Sequence, residues 1–196
     1  MAGKNANHGL LIVLCGPSGV GKSTISRVLS EKHQVCYVVS ATTRQRRDGD
    51  ERGKVYDHIG REEFFRRLDA DEFLEYAQIY GDYYGTPKRP ALDDLAAGRD
   101  VLLEIDVQGA LQVRYQYPDA LTIFILPPDE PILLQRLQAR ARDSAEDIAK
   151  RFRDAKREIH MAKGSRAFDY MVINDELDRA VAEILKIIRH KRSGGF

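Results

Sequence analysis

The chain has 196 residues, 43% hydrophobic and 31% charged, enough apolar content for one compact core with a well-solvated surface. Its formal net charge of +1 argues against a broadly basic face for nucleic acid or a membrane surface, so any bound anion must be held by locally placed Arg and Lys. Two cysteines, Cys15 and Cys36, are too few for a disulfide scaffold, and the polar start MAGKNANHG with no long apolar run predicts a soluble, cytoplasmic chain.

Residues 10–15 (LLIVLC) read as a buried strand. Residues 22–32 follow as a helix with Ile25, Val28 and Leu29 on one face, and residues 35–39 as a second strand. From Ser40 to about Arg89 the rhythm breaks into interleaved aromatic and charged residues, which predicts an inserted subdomain. Residues 101–107 and 121–126 read as the third and fourth strands. Asp129 is an N-cap ahead of a helix carrying Ile132, Leu133 and Leu137. Ser144 with Asp147 matches a capping box for the next helix, striped by Ile148, Phe152, Ala155 and Ile159. A short fifth strand, 171–174, precedes a last helix through Ala180, Ile184 and Ile187. This alternation predicts an α/β fold: a three-layer sandwich around a mainly parallel five-stranded sheet, with an inserted mixed α/β subdomain and a helical lid. The expected division is a core of 1–39, 90–128 and 165–196, an insert of 40–89 and a lid of 129–164.

Gly16-Pro17-Ser18-Gly19-Val20-Gly21-Lys22-Ser23 fits the phosphate-loop pattern G-x-x-x-x-G-K-[ST], between a strand and a helix as that motif requires. The glycines let backbone N–H groups turn inward on phosphate oxygens at the positive end of a helix. Lys22 is expected at the β- and γ-phosphates, the Ser23 hydroxyl at Mg²⁺, and Thr24 beside them. A nucleoside triphosphate is thus the first expected ligand.

Three further blocks narrow the field: Ser40-Ala-Thr-Thr-Arg44-Gln-Arg-Arg47 with Tyr56, then 73–87 with Glu75, Tyr84 and Thr86, then Leu103-Glu104-Ile-Asp106-Val-Gln108-Gly109. In this order and spacing, together with the phosphate loop, they resemble the guanylate kinases over nearly the whole chain. The resemblance implies transfer of the γ-phosphate of Mg-ATP to GMP, and to dGMP alongside it, with the insert as the GMP-binding subdomain. The chemistry agrees. A monophosphate needs fixed N–H forks and phenolic donors, which Arg44, Arg47, Tyr56 and Tyr84 supply. Guanine offers N1–H and N2–H₂ as adjacent donors, which a carboxylate accepts and adenine cannot mimic. Glu75 and Glu104 are the expected acceptors, with Ser40 and Thr86 on the O6 side. Some guanylate kinases have Asp where this chain has Glu104. Asp106 is expected in the GMP site or at Mg²⁺ through water, or else as the cap of the following turn.

Arg136 and Arg140 share a helix face, and Arg151 comes from the next helix; all three match family positions at the ATP phosphates or the transferred group. Asn174 resembles a position beside the adenine. None of the five histidines falls in a catalytic constellation, and the GMP phosphate needs no strong general base. The competing readings are a kinase of another small phosphorylated substrate and a non-catalytic module of the same family; a GTPase is disfavoured because N-K-x-D is absent. The assembly state is open, with a lean towards a homodimer.

Overall fold

The computed structural model describes residues 8–46, 56–139, 144–165 and 167–194. Five strands pair in parallel in the order β2 (Cys36–Tyr37), β7 (Val101–Glu104), β1 (Leu11–Cys15), β8 (Leu121–Leu126) and β9 (Tyr170–Ile173). β1 lies at the centre, and its LIVLC run is buried throughout because a parallel strand is covered on both faces. The period of two sends Ile12 and Leu14 to one core, against α1 (Lys22–His33) and α7 (Leu177–Arg192). It sends Leu11, Val13 and Cys15 to the other, against α3 (Lys88–Ala96) and α4 (Val107–Gln116). The result is the expected α/β/α sandwich.

Two strands end well short of the sequence reading. The second strand is two residues long, because the chain leaves the core sheet after Tyr37 and enters another at Ala41. The third ends at Glu104, because Asp106 accepts the Gly109 N–H at 2.9 Å and so caps α4, making Val107 the first residue of a helix. Both cysteines are free, and burial pushes the Cys15 thiol up to about 12, so it is inert packing.

The second sheet has the order β4 (Asp57–His58), β3 (Ala41–Thr42), β6 (Asp82–Pro87), β5 (Phe73–Ile79). Helix α2 (Arg61–Asp69) covers it, with Phe64 stacked 4.8 Å from Phe73 over Ala41. β5 is an edge strand, and α4 covers that edge with side-chain amides. Gln112 accepts the Tyr76 N–H (3.2 Å) and donates to the Tyr76 carbonyl (2.7 Å), while Gln116 donates to the Leu74 carbonyl (3.2 Å). The acceptor sheet is thereby bolted to the sandwich.

Helices α5 (Glu130–Gln138) and α6 (Ala145–Gly164) follow β8. Asp129 caps α5 by accepting the Ile132 N–H at 2.7 Å, as its position predicts. Ser144 caps α6 by accepting the Asp147 N–H, and its hydroxyl donates back to the Asp147 carboxylate at 2.7 Å. Among the described residues no helix is long and apolar enough to cross a membrane.

Candidate active site

A cleft of about 470 Å³ opens between the two sheets, at the C-terminal ends of β1 and β7. Its floor is the glycine loop between β1 and α1. Gly21 is the N-cap of α1 at φ 93°, in the left-handed region that favours glycine, and leaves the first amides of the helix without a side-chain cap. A Cβ there would stand 2.4 Å from the Asn174 amide nitrogen. Asn174 is itself buried and donates to the Val20 carbonyl at 2.7 Å, and its own carbonyl accepts from Arg136 at 2.9 Å. The loop is thus braced from β9 and the end of α5. Lys22 curls over the loop, donating to the Gly16 (2.5 Å) and Pro17 (3.1 Å) carbonyls.

The opposite wall is the β5–β6 hairpin. Its register places Glu75 directly across from Thr86 and Ala77 across from Tyr84, so period two turns Glu75, Ala77, Ile79 and Tyr84 to the cleft. Glu75 is only 4% exposed. It accepts the Thr86 hydroxyl at 2.5 Å, and Thr86, its proton so committed, accepts from Ser40 at 3.3 Å. Gly109 lets the carboxylate come close, since a Cβ there would lie 2.2 Å from Glu75 Oε2. Burial pushes Glu75 up to about 7; the Thr86 hydroxyl opposes this and the charge of Asp106 adds to it. A buried acceptor faces the phosphate loop.

Beside it, the Arg44 guanidinium lies 5.5 Å from the centre of the Tyr56 ring, which meets Tyr84 edge-on at 5.5 Å. The Arg44 carbonyl is held by His58 Nδ1 at 2.8 Å. At the end of β7 the two acids divide. Glu104 accepts the Ser23 hydroxyl at 2.8 Å, which ties it to the phosphate-loop side of the cleft. Asp106 lines the cleft while capping α4, and burial raises its carboxyl. The third wall is α6, which contributes Arg151 and Glu158.

The cleft therefore gathers Gly16, Pro17, Ser18, Gly19, Gly21, Lys22, Ser23, Thr24, Ser40, Arg44, Tyr56, Glu75, Tyr84, Glu104, Asp106 and Arg151. Thr86 lies beneath Glu75; Val20, Arg136 and Asn174 stand behind the loop rather than on the cleft surface. Arg47 and Arg140 fall outside the described residues. Sequence reasoning missed Glu158, Tyr80 and the role of Gly109. Glu158 was legible, because it follows Arg151 at i+7 with buried Ala155 and Ala162 on the same stripe. Burial pushes it up to about 7, with Lys22 opposing and Asp106 and Asp154 adding.

A glycine loop at a helix start, a lysine and a hydroxyl at its end, and a facing sheet that presents a buried acceptor define a P-loop phosphotransferase acting on a small acceptor. The family model described as guanylate kinase matches residues 8–191. The chain belongs to the guanylate kinase family. It is 48% identical over 182 residues to a guanylate kinase of Caldanaerobacter subterraneus subsp. tengcongensis, covering 92% of this chain and 87% of the relative. It is 46% identical over 190 residues to that of Symbiobacterium thermophilum, covering 96% and 89%. Among solved structures, the guanylate kinase of Anaplasma phagocytophilum superposes with a TM-score of 0.77 at 31% identity, over 95% of this chain and 87% of the other. A gluconokinase of Sinorhizobium meliloti shares the fold alone, with a TM-score of 0.51 at 15% identity over 96% and 95%.

Proposed function

We propose that this kinase transfers the γ-phosphate of Mg-ATP to the phosphate of GMP, giving ADP and GDP, and that dGMP serves in the same place. The observation that carries the reading is Glu75: a buried carboxylate, fed by Thr86 and aimed into the cleft opposite Lys22. Ionised, it accepts from guanine N1–H and N2–H₂ together; adenine would set a lone pair against it. A buried polar group left unpartnered by the wrong base supports discrimination of ~10⁴ or more. Glu75 reads the base alone, and dGMP carries the same base.

Arg44, Tyr56 and Tyr84 hold the acceptor phosphate, and Arg47 is assigned the same role. Loop amides from Gly16 to Thr24 and Lys22 hold the triphosphate, with Asn174 bracing the loop from the side on which the adenine would lie. Arg136, Arg140 and Arg151 serve as the lid's cations. An oxygen of the GMP phosphate attacks the γ-phosphorus as the bond to the β,γ-bridging oxygen breaks, and ADP leaves with that electron pair. The nucleophile is already anionic, so the protein positions it and neutralises charge.

Hard oxygen donors at Ser23 and Glu104, 2.8 Å apart, fit Mg²⁺, which takes one or two protein oxygens beside phosphates and waters. Ser23 and Glu104 would hold the ion there, and it would supply positive charge against the triphosphate. Asp106, engaged with α4, would act on the ion through water. The division of labour follows the expected segments: core 1–39, 90–128 and 165–196, acceptor 40–89, lid 129–164.

The test is ADP formation from Mg-ATP with GMP, dGMP, AMP, CMP and UMP offered singly. Turnover with the two guanine nucleotides alone, lowered ~10²-fold or more by Lys22→Ala, is the expected outcome. Turnover with another monophosphate, or with none, overturns the acceptor assignment.

A further inference from the structure

The β5–β6 hairpin turns at Tyr80 and Gly81, with φ of 52° and 90°. Two consecutive left-handed residues make the turn type that favours Asn-Gly, and a bulky aromatic is a costly occupant of the first position. Tyr80 is 55% exposed, so hydrophobic burial does not explain its presence. What it touches does. Its hydroxyl donates to Asp154 Oδ2 at 3.0 Å, and its ring lies 5.1 Å from the Lys150 ammonium. Both partners belong to α6, four residues apart and one turn of helix in reach. Arg151, next to Lys150, lines the cleft, as do Tyr80 itself and Glu158, which stands one turn beyond Asp154. Burial and the bond to Asp154 push the Tyr80 phenol up to about 12, so it remains a donor across the working pH range.

The same strand carries Glu75 towards one end and leads into Tyr80 at the other, ~17 Å apart at ~3.3 Å per residue. A hydrogen-bonded strand moves as a unit, so whatever seats the base against Glu75 also sets the height of Tyr80.

We propose that Tyr80 is a positioning residue, whose bond to Asp154 latches the acceptor hairpin to α6 and so brings Arg151 to the transferring phosphate when GMP is seated. The proposal rests on the GMP reading above. Coupling of this kind is reciprocal: GMP strengthens the binding of ATP by the same factor by which ATP strengthens that of GMP.

The experiment measures the affinity of the whole chain for a non-hydrolysable Mg-ATP analogue with and without saturating GMP. Wild type is compared with Tyr80→Phe, Asp154→Ala and the double variant, and kcat and KM are read alongside. Tyr80→Phe keeps the ring, and Asp154→Ala sits on a helix that favours Ala, so both are expected to fold. Each single change should shrink the coupling factor by roughly 3–10-fold, as for the net loss of one ordinary hydrogen bond at a solvent-exposed pair. The double variant should lose no more than either single one. Affinity for each nucleotide alone should stay within about 2-fold, while KM for GMP at saturating ATP rises by the factor the coupling loses and kcat falls; mere loosening of the hairpin would instead weaken GMP binding without ATP as well. Wild type without coupling, Tyr80→Phe with full coupling, or additive losses in the double variant would overturn the latch. Failure of wild type to bind GMP would sink the acceptor reading itself.

Discussion

Glu75 is the residue at which stability and function pull apart. Its carboxyl, pushed up to about 7 from an ordinary 4.5 chiefly by burial, keeps a proton in the folded chain that the unfolded chain has lost between those values. The proton-linked stability is therefore fully present below about 4.5 and lost as pH rises to about 7. Acceptance from both guanine donors needs the ionised form, so kcat/KM for GMP should climb from pH ~6 to ~8, across that value near 7. Glu75→Gln retains an acceptor for Thr86 but offers guanine a donor where it needs an acceptor. It should lower kcat/KM for GMP by roughly 10²-fold and remove the part of the pH profile beyond the titration of the GMP phosphate. It should also leave the chain no less stable at pH 8, with a gain on the order of 1–3 kcal/mol in thermal unfolding. A Gln variant with an unchanged pH profile would show that another group, Glu158 foremost, carries the titration.

At the level of elements, α4 has two duties: Gly109 makes room for Glu75, and Gln112 closes the edge of β5. Gln112→Leu removes both bonds to Tyr76. The edge is exposed enough for water to replace them, so the cost should be only ~1 kcal/mol. The Tyr76 amide should nevertheless exchange hydrogen about tenfold faster, and KM for GMP should rise more than KM for ATP. Equal exchange in variant and wild type would mean that α4 does not secure the sheet. This helix also marks the limit of what the sequence disclosed. The five core strands and helices α1, α5, α6 and α7 were legible because apolar periodicity and caps are local signals. The start of α4 was read as the end of a strand, since Ile105 and Val107 prolong an apolar run, and capping was only one of the roles the sequence left open for Asp106. The contact of Glu104 with the phosphate loop was not legible in the sequence. Its pairing with Ser23 spans 81 residues, and no spacing rule reports it. The phosphate loop, Arg44, Tyr56, Glu75, Tyr84 and Thr86 were legible as motif letters, whereas Glu158 was signalled only by its place on the α6 stripe, and Tyr80 reaches α6 across the cleft with no local signal to announce it.

On the scale of the molecule, a net charge of +1 supplies no long-range attraction for nucleotides, so the cleft must do its own neutralising. Among the described residues its lining sets Lys22, Arg44 and Arg151 against Glu75, Glu104, Asp106 and Glu158. Such a lining cannot by itself balance a triphosphate and a monophosphate. The acids are also unevenly placed: Glu104 meets Ser23 on the loop side, while Glu75 sits with Ser40 and Thr86 on the sheet side. Cation dependence should divide the same way. Chelation of Mg²⁺ should abolish turnover, by ~10³-fold or more, and weaken ATP binding. GMP affinity, measured by calorimetry without ATP, should stay within about 2-fold, because the proposed GMP contacts of Arg44, Tyr56, Tyr84 and Glu75 need no ion. A collapse of GMP binding on chelation would place the metal between Glu75 and the base, and would reverse the division of the two walls.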